Sequence, residues 1–224
     1  MKLLVLRPEP GAGETAGRAR AMGLDPIVAP LFAIAGVAGP PVDMARYEAV
    51  LLTSANGARH APDGLTGLPC FAVGERTASA ARSAGFVDVR PGPCDGAAAA
   101  TMMAEAGVRR AIHLCGRDHL PLEAPGVEIE RRIVYAAEPV DHDRFQGPAV
   151  AMIHSARAGA RFARLAADKG AIAVAAISVA AAAAAGEGWA AKAVAEAPRD
   201  QALLELAAKL CNHGPDVVRD GDGL

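Results

Sequence analysis

An α/β protein built on parallel, doubly wound sheets is what this sequence predicts, and three observations predict it. Short apolar runs alternate along the chain with alanine-rich stretches of helical character, which is the pattern of β-α-β units. One such unit is legible in full at Cys70–Gly85, CFAVGERTASAARSAG, as strand, glycine turn and helix. About a hundred residues further on, the order of elements starts again, and so long a period marks a duplicated domain rather than a solenoid.

In the Cys70 unit, Cys70 to Val73 is too short for a helix and suits a strand buried on both faces. Gly74 lets the backbone turn without a Cβ clash. Thr77 stands where an N-cap hydroxyl belongs, ahead of the helix-forming ASAARSA. In such units the loop after the strand faces the ligand crevice, and free N–H groups at the helix start point into it.

In chain order, Leu3 to Leu6 is a buried first strand, followed by a helix over Gly13 to Met22 with Gly23 as its stop. Asp25 to Ile34 is an overlong second strand with Pro30 in its middle, where the chain is expected to leave its sheet. Glu48 to Thr53 is the third strand, Ser54-Ala55-Asn56-Gly57 opens a short helix, and Phe86 to Val89 is the fifth strand. The second half repeats this with strands at Ala111 to Cys115, Glu130 to Ala136 (running on through Pro139), Ala149 to Ile153 and Ala171 to Ile177. A weak strand around Val194 and a helix over Asp200 to Cys211 close it, and Asn212 to Leu224 reads as a frayed tail. Ser54 and Ser155 are 101 residues apart, Gly74 and Ser178 are 104, so the register of the repeat is steady.

Composition narrows the function. The chain has 224 residues, 52% of them apolar, which suffices for one large or two small domains. A formal charge of −2 provides no global field for nucleic acid or an acidic membrane, so an anionic ligand must be held by local groups. Cys70, Cys94, Cys115 and Cys211 form no C-x-x-C pair, which suits a reducing cytosol and argues against a disulfide framework or a zinc site. The opening MKLLVLRPEP is too short in its apolar run for a signal peptide, and no window reaches the length of a membrane span. A cytoplasmic protein is expected.

The residues expected at the crevice are Ser54, Asn56, Gly74, Arg76 and Thr77 from one half and Ser155, Arg157 and Ser178 from the other. Hydroxyls and helix-start N–H groups there suit a ligand held between two lobes. Plain helix capping explains Ser54, Thr77 and Ser155 equally well. Arg7, Arg59, Arg76, Arg117 and Arg157 follow strand ends and suit a polyanion, or a solvated surface. His113 fits a sheet interior. His154 precedes Ser155 with no aspartate placed to complete a triad, and H-E-x-x-H, G-x-G-x-x-G and P-loop patterns are all absent. Tyr135 is a phenol able to donate a proton, and equally a packing residue.

Three stretches, LRPEPG near the start, LLTSANG at Leu51–Gly57 and FAVGERTASAARSAGF at Phe71–Phe86, resemble the uroporphyrinogen-III synthase family over nearly the whole chain. The resemblance implies two flavodoxin-like, three-layer (α/β/α) lobes with parallel five-stranded sheets, a strand-swapped duplication. Residues 1–34 with 141–224 would form one lobe and 38–132 the other, joined by a two-stranded linker at Ala33–Val37 and Ile133–Val140. It implies closure of linear hydroxymethylbilane to uroporphyrinogen III, with inversion of ring D and loss of water, without metal or organic cofactor. By motif it implies Tyr135 as the group assisting departure of the hydroxyl, and substrate contacts at Arg7, Ser54, Asn56, Gly74, Arg76, Thr77, Ser155 and Ser178. At Ser178-Val179-Ala180-Ala181 the chain departs from the family's G-P-T-T, so both threonine hydroxyls are missing. A monomer is expected, with transient contact to hydroxymethylbilane synthase.

Two other readings compete with the synthase. One is a noncatalytic tetrapyrrole or small-anion binding module of the same two-lobe design. The other is a periplasmic-type sugar or phosphate binder, which would need an export signal.

Overall fold

A computed structural model describes residues 1–93, 95–119, 121–122 and 124–213; Cys94 and residues 214–224 of the tail expected to fray from Asn212 lie outside the described residues, while Asn212 and His213 end the last helix. The chain divides into two compact units, Met1–Ala33 with Glu138–Leu224, and Ile34–Ala137.

The chain opens with β1 (Lys2–Val5), α1 (Gly11–Ala21) and β2 (Asp25–Val28). The overlong strand expected over Asp25–Ile34 leaves its sheet at Pro30, as expected, since proline has no N–H to give a ladder, and the chain resumes as β3 (Phe32–Gly36) in another sheet. Next come β4 (Ala49–Leu52), α2 (Ala55–Arg59), β5 (Cys70–Val73) and α3 (Gly74–Ser83). The strand expected at Phe86–Val89 lies later, as β6 (Val89–Gly92). Phe86 is instead a buried core residue, and Pro91 is tolerated because β6 is an edge strand. An additional helix, α4 (Gly96–Glu105), is capped by Asp95, whose Oδ1 accepts from the Ala97 N–H at 3.0 Å. The remaining elements are β7 (Arg110–Gly116), β8 (Glu128–Pro139), β9 (Ala149–Ile153), α5 (Ala156–Leu165), β10 (Ile172–Ala176), α6 (Val179–Ala185), β11 (Ala191–Val194) and α7 (Asp200–His213).

In the unit containing both ends of the described chain, five strands in the order β11-β10-β9-β1-β2 form an all-parallel sheet. The other sheet has six strands, β3-β8-β7-β4-β5-β6, one more than expected. The extra strand is β3, which lies beside β8. The Val37 N–H donates to the Val134 carbonyl at 2.8 Å and the Val140 N–H to the Leu31 carbonyl at 3.0 Å, so numbers rise along one strand as they fall along the other and the pair is antiparallel. The strands from β8 through β6 are parallel.

Each sheet reverses its winding once. From β4 the chain steps outward to β5 and β6, then returns so that β7 lies on the other side of β4. In the five-stranded sheet the same reversal falls between β1 and β9. Such switch points open a crevice at the carboxyl ends of the strands. The central strands β4, β9 and β10 are buried along their whole length, as strands covered by helices on both faces must be.

Alanine and glycine set how closely helices approach. A Cβ on Gly159 of α5 would lie 2.7 Å from the Ala181 carbonyl oxygen and 3.1 Å from the Ala185 nitrogen of α6. Backbone, unlike a flexible side chain, cannot yield at that distance. The run from Ala180 to Ala185 is therefore a contact surface within α6, not a membrane segment, and among the described residues no helix is long and apolar enough to cross a membrane. Cys70 and Cys115 are buried free thiols, with burial pushing the Cys70 thiol up to about 12. Gly159→Ala should lower stability by roughly 1–3 kcal/mol through overpacking, read as a fall in the melting temperature. An unchanged melting temperature would show that α5 and α6 part freely.

Candidate functional site

The serine hydroxyls expected at the crevice all cap helices. Ser54 Oγ accepts from the Asn56 N–H at 3.2 Å, Ser155 Oγ from Ala158 at 3.1 Å and Ser178 Oγ from Ala181 at 3.3 Å. Each keeps its own O–H and a second lone pair for another partner. Thr77 requires a correction, because it is not a cap. Helix α3 begins three residues earlier, at Gly74, with no side-chain cap, and Thr77 is buried within its first turns. The reason lies in Gly74 itself. Its φ of +71° makes the turn from β5 directly, so no polar cap is needed to start the helix. Arg76 is exposed, and Asn56 Oδ1 accepts from Arg59 at 2.9 Å.

Within the unit Ile34–Ala137, a cavity of about 380 Å³ sits at the carboxyl ends of β4 and β7, the switch point of the six-stranded sheet. Thr53 and Ser54 line it from the end of β4, Gly96 and Ala97 from the start of α4. His113, Gly116 and His119 line it from β7 and the turn after it, and Tyr135 from β8. Two expected site residues, Ser54 and Tyr135, are thus brought to one cavity. Asn56, Gly74, Arg76 and Thr77 do not line it.

His113 is almost wholly buried, its Nε2 lying 2.9 Å from the Thr53 hydroxyl while Nδ1 has no partner. Burial, reinforced by His119 and Arg131, pushes its pKa down to about 4, so it is neutral at physiological pH. His119 Nδ1 lies 3.0 Å from the Gly116 carbonyl, and its ring stands edge-on to His113 with centroids 6.4 Å apart. The Tyr135 ring stacks on His60 at 6.2 Å.

In the other unit the polar centre is Asp200, at the start of α7. Its carboxylate takes Arg7 at 2.6 Å, His154 Nε2 at 2.7 Å, the Thr15 hydroxyl at 3.0 and 3.1 Å, and Arg18. Arg7 follows β1 and His154 follows β9, so this cluster stands at the second switch point. A paired aspartate for His154 does therefore exist, 46 residues downstream, contrary to the sequence reading. It forms no triad, since Ser155 Oγ turns to its own helix. Burial alone would raise the Asp200 carboxyl. The hydrogen bond and charge of His154, with Arg7 and Thr15, outweigh it and hold the group well below the usual carboxylate range.

His113 lies inside β7 as its sequence position suggests, whereas His119 and Asp200 are the members that sequence reasoning missed. Position after a strand at a point of winding reversal is the signal that would have marked His119, but that reversal is a property of strand order, which the sequence does not state. Among the described residues no group of three or more His, Cys, Asp or Glu is placed to hold a metal.

A family model described as uroporphyrinogen-III synthase HemD matches residues 13–205. The chain is similar to a solved uroporphyrinogen-III synthetase from Helicobacter pylori, at 14% identity and a TM-score of 0.66, covering 93% of this chain and 98% of that one. A mutant uroporphyrinogen III synthase from the extremely thermophilic bacterium Thermus thermophilus aligns at 17% identity and a TM-score of 0.48, over 93% and 98%. The Helicobacter likeness is one of fold. No curated protein matches the chain.

Asp200 titrates below its unfolded value of about 3.9, so its contribution is complete above that pH and disappears as pH falls through it toward the folded pKa. Asp200→Asn should lower stability at neutral pH by about 1–3 kcal/mol and flatten the melting-temperature profile below about pH 4. An acid limb as steep as that of the unmodified protein would remove Asp200 from this role.

Proposed function

We infer the function of this chain from the family to which it belongs, the uroporphyrinogen-III synthases: it is a lyase of tetrapyrrole biosynthesis that closes hydroxymethylbilane to uroporphyrinogen III, inverting ring D and releasing water. The family match over residues 13–205 is the observation that carries this. A noncatalytic binding module of the same design, suggested by the missing threonines near Ser178 and by few titratable groups in the crevice, is not favoured by the family match.

The finer architecture follows from the same reading. The two units are flavodoxin-like lobes of one duplicated design, residues 1–34 with 141–224 and residues 38–132, with Ala33–Val37 and Ile133–Val140 as the link. In support, β1 and β2 complete the sheet of β9, β10 and β11 rather than pairing with the strands that follow them in sequence. Ser54 after β4 and Ser155 after β9 also cap their helices alike.

The substrate is prone to lose water and cyclise unaided, so the protein's main task is to hold it in the conformation that inverts ring D. Ser54, with its cap satisfied and its O–H still to donate, is placed for this at the cavity of the six-stranded sheet, and Tyr135 in the same cavity assists departure of the substrate hydroxyl by hydrogen-bonding to it. Asn56, Gly74 and Arg76 extend the contact along the neighbouring strand ends, with Thr77 as the buried support of that turn. In the other unit Ser155 and Ser178 present helix starts, while Arg7 is held by Asp200 with further N–H groups left for an acid side arm. Ser178 and main-chain N–H groups take the place of the absent threonines. The protein works in the cytoplasm as a monomer, receiving hydroxymethylbilane in transient contact with the synthase that makes it.

The deciding experiment is hydroxymethylbilane incubated with the protein and the isomers resolved by chromatography. Isomer III should predominate, whereas isomer I alone, at the spontaneous rate, would leave only a binding role. Tyr135→Phe should lower turnover with little change in melting temperature, since only a half-buried hydroxyl is removed. A rate equal to that of the unmodified enzyme would return Tyr135 to packing.

A further inference from the structure

Gly116 closes β7, and two features meet at it. A Cβ there would lie 2.7 Å from Cε2 and Cζ of Tyr135 and 3.0 Å from the phenol oxygen, so the absence of a side chain is what lets the ring lie across the strand end. The register between β7 and β8 slips at this point. Cys115 pairs with Ile133 but Gly116 pairs with Tyr135, and the extra residue of the bulge re-aims the tyrosine. The Gly116 carbonyl also meets His119 Nδ1 at 3.0 Å. A carbonyl only accepts, so Nδ1 carries a hydrogen in either charge state of the ring, and proton exchange is confined to Nε2.

Of the titratable groups lining this cavity, His113 is held neutral to about pH 4 and its Nε2 is engaged by Thr53, so it delivers no proton at physiological pH. A phenol gives up its proton far less readily than an imidazolium near neutrality. The charged groups that line this cavity with His119 are Asp118 beside it and Asp95 ahead of α4, which already accepts from Ala97; Arg131 of β8, whose charge acts on His113, donates to the Leu122 carbonyl at 3.1 Å.

We propose that His119 carries the proton of the ring closure, with Gly116 as the residue that fixes both its tautomer and the place of Tyr135. The proposal rests on the family reaction assigned above. The imidazolium Nε2–H passes to the oxygen of the hydroxymethyl group as the C–O bond breaks. The bonding pair leaves with oxygen as water, and an azafulvenium cation remains. The substituted carbon of ring D bonds to this cation to give a spiro intermediate. The bond from that carbon to its own methylene then breaks, leaving a second azafulvenium. The unsubstituted carbon of ring D bonds to that methylene, and its hydrogen leaves as the proton that returns to Nε2. One proton is lent and one recovered, with no oxidant or reductant involved.

The test uses His119→Asn, whose amide N–H still reaches a carbonyl while nothing in the side chain titrates. The kcat for isomer III should fall about 100-fold, with KM changed less than about threefold. The pH profile of kcat should also change from that of the unmodified enzyme. A kcat within about threefold of the unmodified enzyme, or an unchanged pH profile, overturns the proposal. Imidazole nitrogen NMR of the unmodified protein tests it independently of folding of the variant and of activity. His119 Nε2 should shift with pH while Nδ1 stays protonated, and a neutral ring protonated on Nε2 overturns the proposal. A protein that makes no isomer III refutes the ring-closure reading itself, which is a different failure from a fully active His119→Asn.

Discussion

Strands buried on both faces have no room for polar groups along their length, and this constraint organises each unit. In β4, β9 and β10 every position is apolar and buried. Chemistry is therefore displaced to the strand ends, where the helix starts also leave N–H groups unpaired by the helix. At the reversal of winding the flanking connections diverge, so the ends of β4 and β7 in one unit, and of β1 and β9 in the other, are where side chains gather. His113 is the exception that fits the rule. It is a polar residue inside a strand, kept neutral by burial and satisfied on one side by Thr53 at the strand end.

The small-residue composition serves the same architecture. With few aromatics, the layers close by helices approaching at backbone distance, as Gly159 against α6 and Gly57 against the Leu114 carbonyl show. A Cβ on Gly57 would stand 2.6 Å from that carbonyl oxygen, which places α2 tightly on β7 and so sets the position of Ser54 beside the cavity. Phe162 of α5 packs against Phe145 and Trp189, with ring centroids 5.2 and 5.4 Å away.

The two polar centres differ in kind although the units repeat one pattern. At Asp200 a single carboxylate gathers two guanidiniums, a hydroxyl and an imidazole, a dense network in which loss of one member strands the others. At His119 the ring meets a backbone carbonyl and lines a cavity. The first arrangement immobilises charge and the second does not, so the two units share parallel sheets and serine helix caps without sharing a polar centre.

Much of this was determined by the sequence alone. Alternation of apolar runs with alanine-rich stretches specifies parallel sheets, because a strand with no polar face has to be covered on both sides. The turn at Gly74 and the capping serines at 54, 155 and 178 are local events, decided by residues a few positions apart, and so are legible without a fold. The motif likeness, resting on the same local runs, carried the family. What only the tertiary structure decided is everything that depends on strand order and register. The added sixth strand, the displacement of β6 past Phe86, the burial of Thr77, the meeting of His154 with Asp200 and the bulge that brings Tyr135 to Gly116 each join residues distant in sequence. Their positions follow from which strands lie side by side, and hydrogen-bond pairing between strands leaves no periodicity in the chain from which that order could be read.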